Sequence, residues 1–135
     1  MKQFSHLLLL VCLCVCVPAV QAQTQANLND TACREYKQSD AELNRVYRQI
    51  QSEYRTNKIF LKKLQLAQRA WLAYRDAQLT ALFPSEEPGT YGSVYPICRC
   101  VELNELTNKR TEELKRWLAG TSEGDVCAGS LKLKR

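Results

Sequence analysis

Histidine is nearly absent from this 135-residue chain: the single one, His6, lies in a leading segment that reads as a removable export signal. The rest of the chain then has no imidazole base, no histidine metal ligand and no Cys–His or Ser–His pair. That excludes the commonest hydrolase mechanisms and leaves carboxylate-based chemistry as the one enzyme reading. A second long apolar run is missing too. Nothing downstream of the leader approaches 18 consecutive apolar residues, so no membrane span is expected in the mature chain. No stretch alternates polar and apolar residues as a half-buried strand does, and there is no internal repeat.

The leader is the strongest feature present. Met1 to His6 is a short cationic start, Leu7 to Val17 an unbroken apolar run of 11, and Pro18 breaks it. Val20-Gln21-Ala22 supplies small or apolar residues where a signal peptidase reads. Residues 1–22 are therefore expected to be a signal peptide cleaved before Gln23, which makes the product periplasmic or secreted. Cys12, Cys14 and Cys16 lie inside the apolar run. No small residues of a lipoprotein-processing site precede them, which favours apolar filler lost with the signal over a lipid anchor. The mature chain, 113 residues from Gln23 to Arg135, fits one domain, taken as 23–120 followed by a tail at 121–135.

Of the 19 Lys and Arg residues only Lys2 leaves with the leader, so 18 remain against 14 Asp and Glu, a net +4. Lys132, Lys134 and Arg135 carry three of those charges, and the body is nearly balanced with both signs interleaved. A nucleic-acid binder gathers its positive charge on one face, so no nucleic-acid partner is expected. Four cysteines remain: Cys33, Cys98, Cys100 and Cys127. In an oxidising compartment an even count favours two disulfides. A four-thiolate zinc site is the competitor, but Cys98-x-Cys100 lacks the usual spacing. No metal or other cofactor is expected.

Three helical periods are legible. The first runs from about Leu28 to Tyr54, with Cys33, Tyr36, Leu43, Tyr47, Ile50 and Tyr54 on one stripe and Asn27 or Asn29 as cap. Thr56-Asn57-Lys58 is a short turn. The second, about Ile59 to Leu82, carries Phe60, Leu64, Ala67, Trp71 and Tyr74 beside a neighbouring stripe of Leu61, Leu72, Leu79 and Leu82, and Pro84 ends it. The segment Pro84 to Pro96 has no helical period, and loops of that length are often functional. The third helix, about Ile97 to Leu118, uses Cys100, Leu103, Thr107, Arg110, Leu114 and Trp117. The last residues are expected to fray. The fold class is all-α: a three-helix antiparallel bundle with two disulfides and a long loop between helices two and three.

Folding the chain back at about residue 57 sets Leu43 beside Leu72, Tyr47 beside Gln68 and Asp40 beside Arg75. Asp40 and Arg75 each interrupt an apolar stripe at one height, which favours an interhelical ion pair over two side chains snorkelling to water. Arg110 interrupts the third stripe and is a candidate for the same network. Cys33 and Cys100 lie on core stripes at one end of the bundle, so the expected bridges are Cys33–Cys100 and Cys98–Cys127. The second requires the tail to run back almost straight along the bundle, or helix three to be shorter than its period indicates. Helix three puts Cys98 about 30 Å from Leu118, and the chain from Leu118 to Cys127 spans at most about 30 Å.

Asp40-Ala-Glu-Leu-Asn44 with Val46-Tyr47, then Ala67-Gln-Arg-Ala-Trp-Leu-Ala-Tyr-Arg-Asp-Ala77, then Leu106-Thr-x-x-Arg110 with Leu114, resembles the LprI-like family of bacterial envelope proteins. The resemblance covers about Cys33 to Leu118, and the middle motif is its most specific part. It implies a small, helical, exported protein, in a family named for a lysozyme-inhibiting lipoprotein. This chain departs from the family pattern in two places. Gln78-Leu79 stands where relatives often carry a cysteine, and the namesake's lipid-attachment cysteine is missing, which argues for a soluble product.

The motif residues Asp40, Asn44, Gln68, Trp71, Arg75, Thr107 and Arg110 fall on faces that the hairpin buries. A structural role as the polar frame of the bundle is therefore favoured over a catalytic one. The resemblance implies inhibition of a lysozyme-type peptidoglycan hydrolase without catalysis. The Pro84–Pro96 loop is the candidate projection, with Tyr91, Ser93 and Tyr95 as contacts; the competing reading of the loop is a plain connector. The alternative function is a helical binding or scaffolding module for another envelope protein. An enzyme using Glu35, Asp40 or Asp76 ranks third, because it would need two carboxylates facing one open cleft.

Overall fold

The computed structural model describes residues 17–134. Most of the expected signal peptide lies outside them. Three helices account for most of the described chain: α1 (Val17–Glu53), α2 (Lys58–Leu82) and α3 (Tyr95–Ala119). α1 starts earlier than its apolar stripe alone indicates and runs unbroken through Asn27 and Asn29, so neither residue is a cap.

The turn at 54–57 forms as the sequence requires. Asn57 accepts a hydrogen bond from the Phe60 N–H at 3.0 Å, which satisfies one of the donors that the start of α2 leaves open. Phe83 closes the other end of α2, donating its N–H to the Leu79 carbonyl, and Pro84 follows.

α1 and α3 make the principal packing of the molecule. They run in the same direction: Cys33 meets Cys100 at one end, and the Tyr54 hydroxyl donates to the Trp117 carbonyl at the other. α2 runs antiparallel to both. On α1 the buried positions are Ala32, Ser39, Leu43, Val46, Ile50 and Tyr54, separated by steps of three, four or seven. Leu103, Leu106, Thr107, Thr111 and Leu114 answer them from α3. Leu43, Val46, Ile50 and Leu114 are sealed completely or nearly so. Tyr36 and Tyr47, expected on the stripe, lie at its half-buried margin.

α2 sinks less deeply than its wide apolar face suggested. Phe60, Leu64 and Leu79 are buried, whereas Leu72, Tyr74 and Leu82 remain exposed. Its middle is held by polar groups instead. Arg110 Nε donates to Gln68 Oε1 at 3.1 Å, linking α3 to α2. Arg75 reaches Tyr36 Oη on α1 at 3.5 Å.

Two expectations about polar partners are corrected. Asp40 and Arg75 do not pair: Arg75 is held by its neighbour Asp76 at 2.8 Å, and Asp40 accepts from Asn44 at 3.0 Å. The residue facing Arg75 across the hairpin is Tyr36, one helical turn from Asp40. Cys98 and Cys127 are not bridged; both are exposed free thiols, and Cys33–Cys100 is the one disulfide among the described residues. The cause is the path of the tail, which folds over the end of the bundle remote from Cys98.

The tail is not frayed. Thr121 N–H donates to the Lys132 carbonyl and Lys134 N–H to the Thr121 carbonyl, both at 2.8 Å, in a small parallel bridge. Gly120 makes this possible. Its φ of 69° is left-handed, and a Cβ there would come within 2.6 Å of the Lys132 carbonyl oxygen. The tail then grips the bundle. Lys132 N–H donates to Tyr54 Oη at 3.2 Å, its ammonium sits 4.2 Å from the Tyr54 ring centroid, and Trp117 Nε1 donates to Ser130 Oγ at 3.0 Å.

Candidate functional site

The loop between α2 and α3 occupies residues 83–94, because α3 begins at Tyr95, two residues earlier than its period indicates. Its order comes from three rings and a set of short hydrogen bonds. Phe83, at the end of α2, meets Tyr91 edge-on at 5.4 Å and Tyr95 at 5.2 Å, and Tyr91 stacks on Tyr95 at 5.4 Å. Such aromatic pairs stabilise beyond the area they bury. The cluster ties the first residue of the loop to the first residue of the next helix.

Polar groups complete the fold of the loop. Ser85 N–H donates to Tyr91 Oη at 2.7 Å, Ser85 Oγ lies 3.0 Å from Thr90 Oγ1, and Thr90 Oγ1 donates to the Glu87 carbonyl at 2.9 Å. Gly92 N–H closes a turn onto the Gly89 carbonyl at 3.0 Å. Below the loop, the Cys33–Cys100 bridge fixes the second turn of α3 to α1, with Cα atoms 5.0 Å apart. Disulfide geometry tolerates only such close approaches. The loop is thus built on a covalently fixed end of the bundle.

Of the three sequence-predicted contact residues, Tyr91 and Tyr95 are half-buried within the ring cluster and Ser93 is exposed. Glu86 and Glu87 are exposed on the same loop, in no ion pair among the described residues. Two shallow depressions of about 210 and 220 Å³ flank the cluster. The first is lined by Ser85 to Gly89, Tyr91, Gly92 and Tyr95, the second by Asp76, Leu79, Thr80, Phe83, Tyr95 and Arg99. The first carries two carboxylates, Glu86 and Glu87, adjacent in the chain and both exposed, and the second carries one, Asp76.

The seven motif residues distribute otherwise. Gln68 and Arg110 join α2 to α3, and Arg110 also pairs with Glu113 at 2.9 Å. The Arg75 guanidinium lies 5.5 Å from the Trp71 ring centroid. Thr107 is fully buried in the α1–α3 seam, its carbonyl accepting from Thr111 Oγ1 at 2.8 Å. Asp40 and Asn44 bond to each other on α1. The structure brings Gln68 and Arg110 together and does not gather the seven into one cluster.

Sequence reasoning missed Phe83 as the third ring of the loop cluster. Its aromatic character next to Pro84, with Tyr91 and Tyr95 beyond, was the available signal. It also missed the larger recess at the opposite end, about 710 Å³, lined by Arg55, Trp117, Leu118, Gly120, Lys132 and Lys134 among others. At the same end of the bundle, burial pushes the Tyr54 phenol above its ordinary range, against the opposing hydrogen bond from the Lys132 backbone.

Fold and loop together define a disulfide-linked helical bundle that displays an ordered acidic loop at its fixed end. A profile of the family "Lysozyme inhibitor LprI" matches residues 16–114, and the chain belongs to that family. It is also similar to an uncharacterized protein of Rhizobium meliloti (strain 1021), 40% identical over 103 residues that cover 68% of this chain and 72% of that one. No solved structure matches the chain. The disulfide and the family together point to an extracytoplasmic location. No helix among the described residues is long and apolar enough to cross a membrane.

Proposed function

We propose that this protein is an exported, non-enzymatic envelope protein, periplasmic or secreted, that inhibits a lysozyme-type peptidoglycan hydrolase by docking the 83–94 loop against the enzyme. The observation that carries the reading is family membership over residues 16–114. The physical support is the ordering of the loop: an inhibitor that blocks a cleft gains from a segment whose conformational entropy is already spent before binding. Tyr91, Ser93 and Tyr95 are the contact residues. Tyrosine offers large contact area with few torsions to immobilise.

Lysozymes cut with two carboxylates in a cleft, one of them kept protonated. Excluding sugar and water from that cleft suffices for inhibition, and no group on the inhibitor need react. Charge acts only locally. A basic enzyme gains no long-range attraction to a mature chain of net +4, but Glu86 and Glu87 give the loop its own negative spot within the roughly 8 Å that salt leaves unscreened.

A turbidity assay of peptidoglycan lysis by purified lysozyme, titrated with the mature chain, tests the reading. The expected result is saturable inhibition, weakened at least about tenfold by Ser93→Arg, a substitution at an exposed position that leaves the ring cluster intact. Full lysis at every concentration of correctly folded protein would refute it.

A further inference from the structure

We propose that the outer face of α2, together with the α1–α2 turn, is a docking surface for an anionic lipid bilayer. From Tyr54 to Arg75 the chain contains no carboxylate, although both signs are interleaved elsewhere. Arg55, Lys58, Lys62, Lys63 and Arg69 fall in this stretch. All five are exposed, and none is in an ion pair among the described residues. The lysines of α3 differ, since Lys109 is paired with Glu105 and Lys115 with Glu112.

The apolar residues of the same face are placed to match. Phe60, Leu64 and Leu79 turn inward, which leaves Ile59 and Leu66, seven residues apart, on the outer side of the helix. Ile59 is 78% exposed, more than any other leucine or isoleucine among the described residues, and Leu66 is 50% exposed, as far out as Leu28 and Leu82. An exposed apolar strip edged by lysines is the pattern of a helix that lies in a membrane interface. The strip explains the apolar residues and the cations together, whereas an acidic soluble partner would need only the charge. The helix is not apolar enough to cross the bilayer, so the contact is a surface one.

The patch lies at the end of the bundle remote from the 83–94 loop. A molecule resting on it would keep that loop free. The proposal does not rest on the inhibitor reading, because vesicles report on it with no lysozyme present.

The test is sedimentation of the mature chain with vesicles of phosphatidylcholine, with and without phosphatidylglycerol. Binding is expected with the anionic vesicles only and should disappear as salt rises from 0.05 M toward about 0.5 M. Each cation near such a surface changes partition about fivefold, so Lys62→Ala with Lys63→Ala should weaken binding by about 25-fold. Lys109→Ala with Lys115→Ala removes the same charge from α3 and should leave binding near that of the parent. Ile59→Ser should weaken it further than its unchanged charge explains. Circular dichroism confirms that each variant is folded. Equal weakening by the two lysine pairs, equal binding to neutral vesicles, or no binding at all would overturn the proposal. So would retention on immobilised polyglutamate without vesicle binding, which would make the partner an acidic protein.

Discussion

The α1–α3 seam and the α2 interface use the same residue types to different ends. The seam interlocks heptad-spaced Leu43, Val46, Ile50, Leu103 and Leu114 and adds a disulfide. α2 contributes three buried side chains, two near its start and one near its end, with Gln68–Arg110 and Tyr36–Arg75 contacts between them. The seam therefore carries the stability of the molecule, and α2 serves as a strut that spaces the turn from the loop. Such an arrangement leaves the outer surface of α2 free for other work. It also places the loop where the seam is covalently closed.

Three changes would break or sharpen this contrast. The largest effect is expected from Cys33→Ser with Cys100→Ser. The bridge closes a loop of 67 residues, for which the chain-entropy model gives about 4 kcal/mol. Denaturant unfolding of the double variant beside the parent measures it. Next, Leu114→Ala in the seam should cost about 3–4 kcal/mol and Leu79→Ala on α2 about 2 kcal/mol, since Leu114 is wholly buried and Leu79 is not. Equal losses would mean that α2 is as integral to the core as α3.

The smallest effect concerns the tail. The Thr121 hydroxyl, and then the Cys127 N–H, hold the Asp125 carboxyl below its ordinary range. A depressed carboxylate stabilises the folded form above its unfolded pKa, and that contribution is lost as pH falls through the folded value. The tail should therefore loosen on the acid side of the usual carboxylate range. Trp117 fluorescence, in a Trp71→Phe background, should report the change, because Trp117 bonds to Ser130 in the tail. Asp125→Asn should abolish that dependence.

The sequence disclosed much of this fold for identifiable reasons. Cys33 and Cys100 lie on apolar stripes at matching heights, so their bridge followed from periodicity. The Thr56-Asn57-Lys58 turn and Pro84 marked the limits of α2 as local signals do. The pairing of side chains was less legible. A turn centred at residue 57 fixes which helices are antiparallel but not their rotation, and one turn of offset was enough to put Tyr36 rather than Asp40 against Arg75. Ser39 and Val46 were missed because Tyr36 and Tyr47 are larger and extend the stripe in sequence.

The tail escaped prediction because its order is made by non-local bonds to Tyr54 and Trp117 that no local period announces. That docking keeps Cys127 at the end of the bundle away from Cys98, and two exposed thiols replace the second bridge. For the loop, length and composition marked it as special. The ring cluster that orders it depends on Phe83, which reads in sequence as one more apolar residue at a helix end.

The central claim is that the loop end of the bundle does the binding. Amide hydrogen exchange of the mature chain, alone and saturated with lysozyme, tests it most directly. The account predicts slowed exchange across residues 83–94 and the first turn of α3, with the outer face of α2 unchanged. Protection confined to α2 or the tail, with none in the loop, would contradict it.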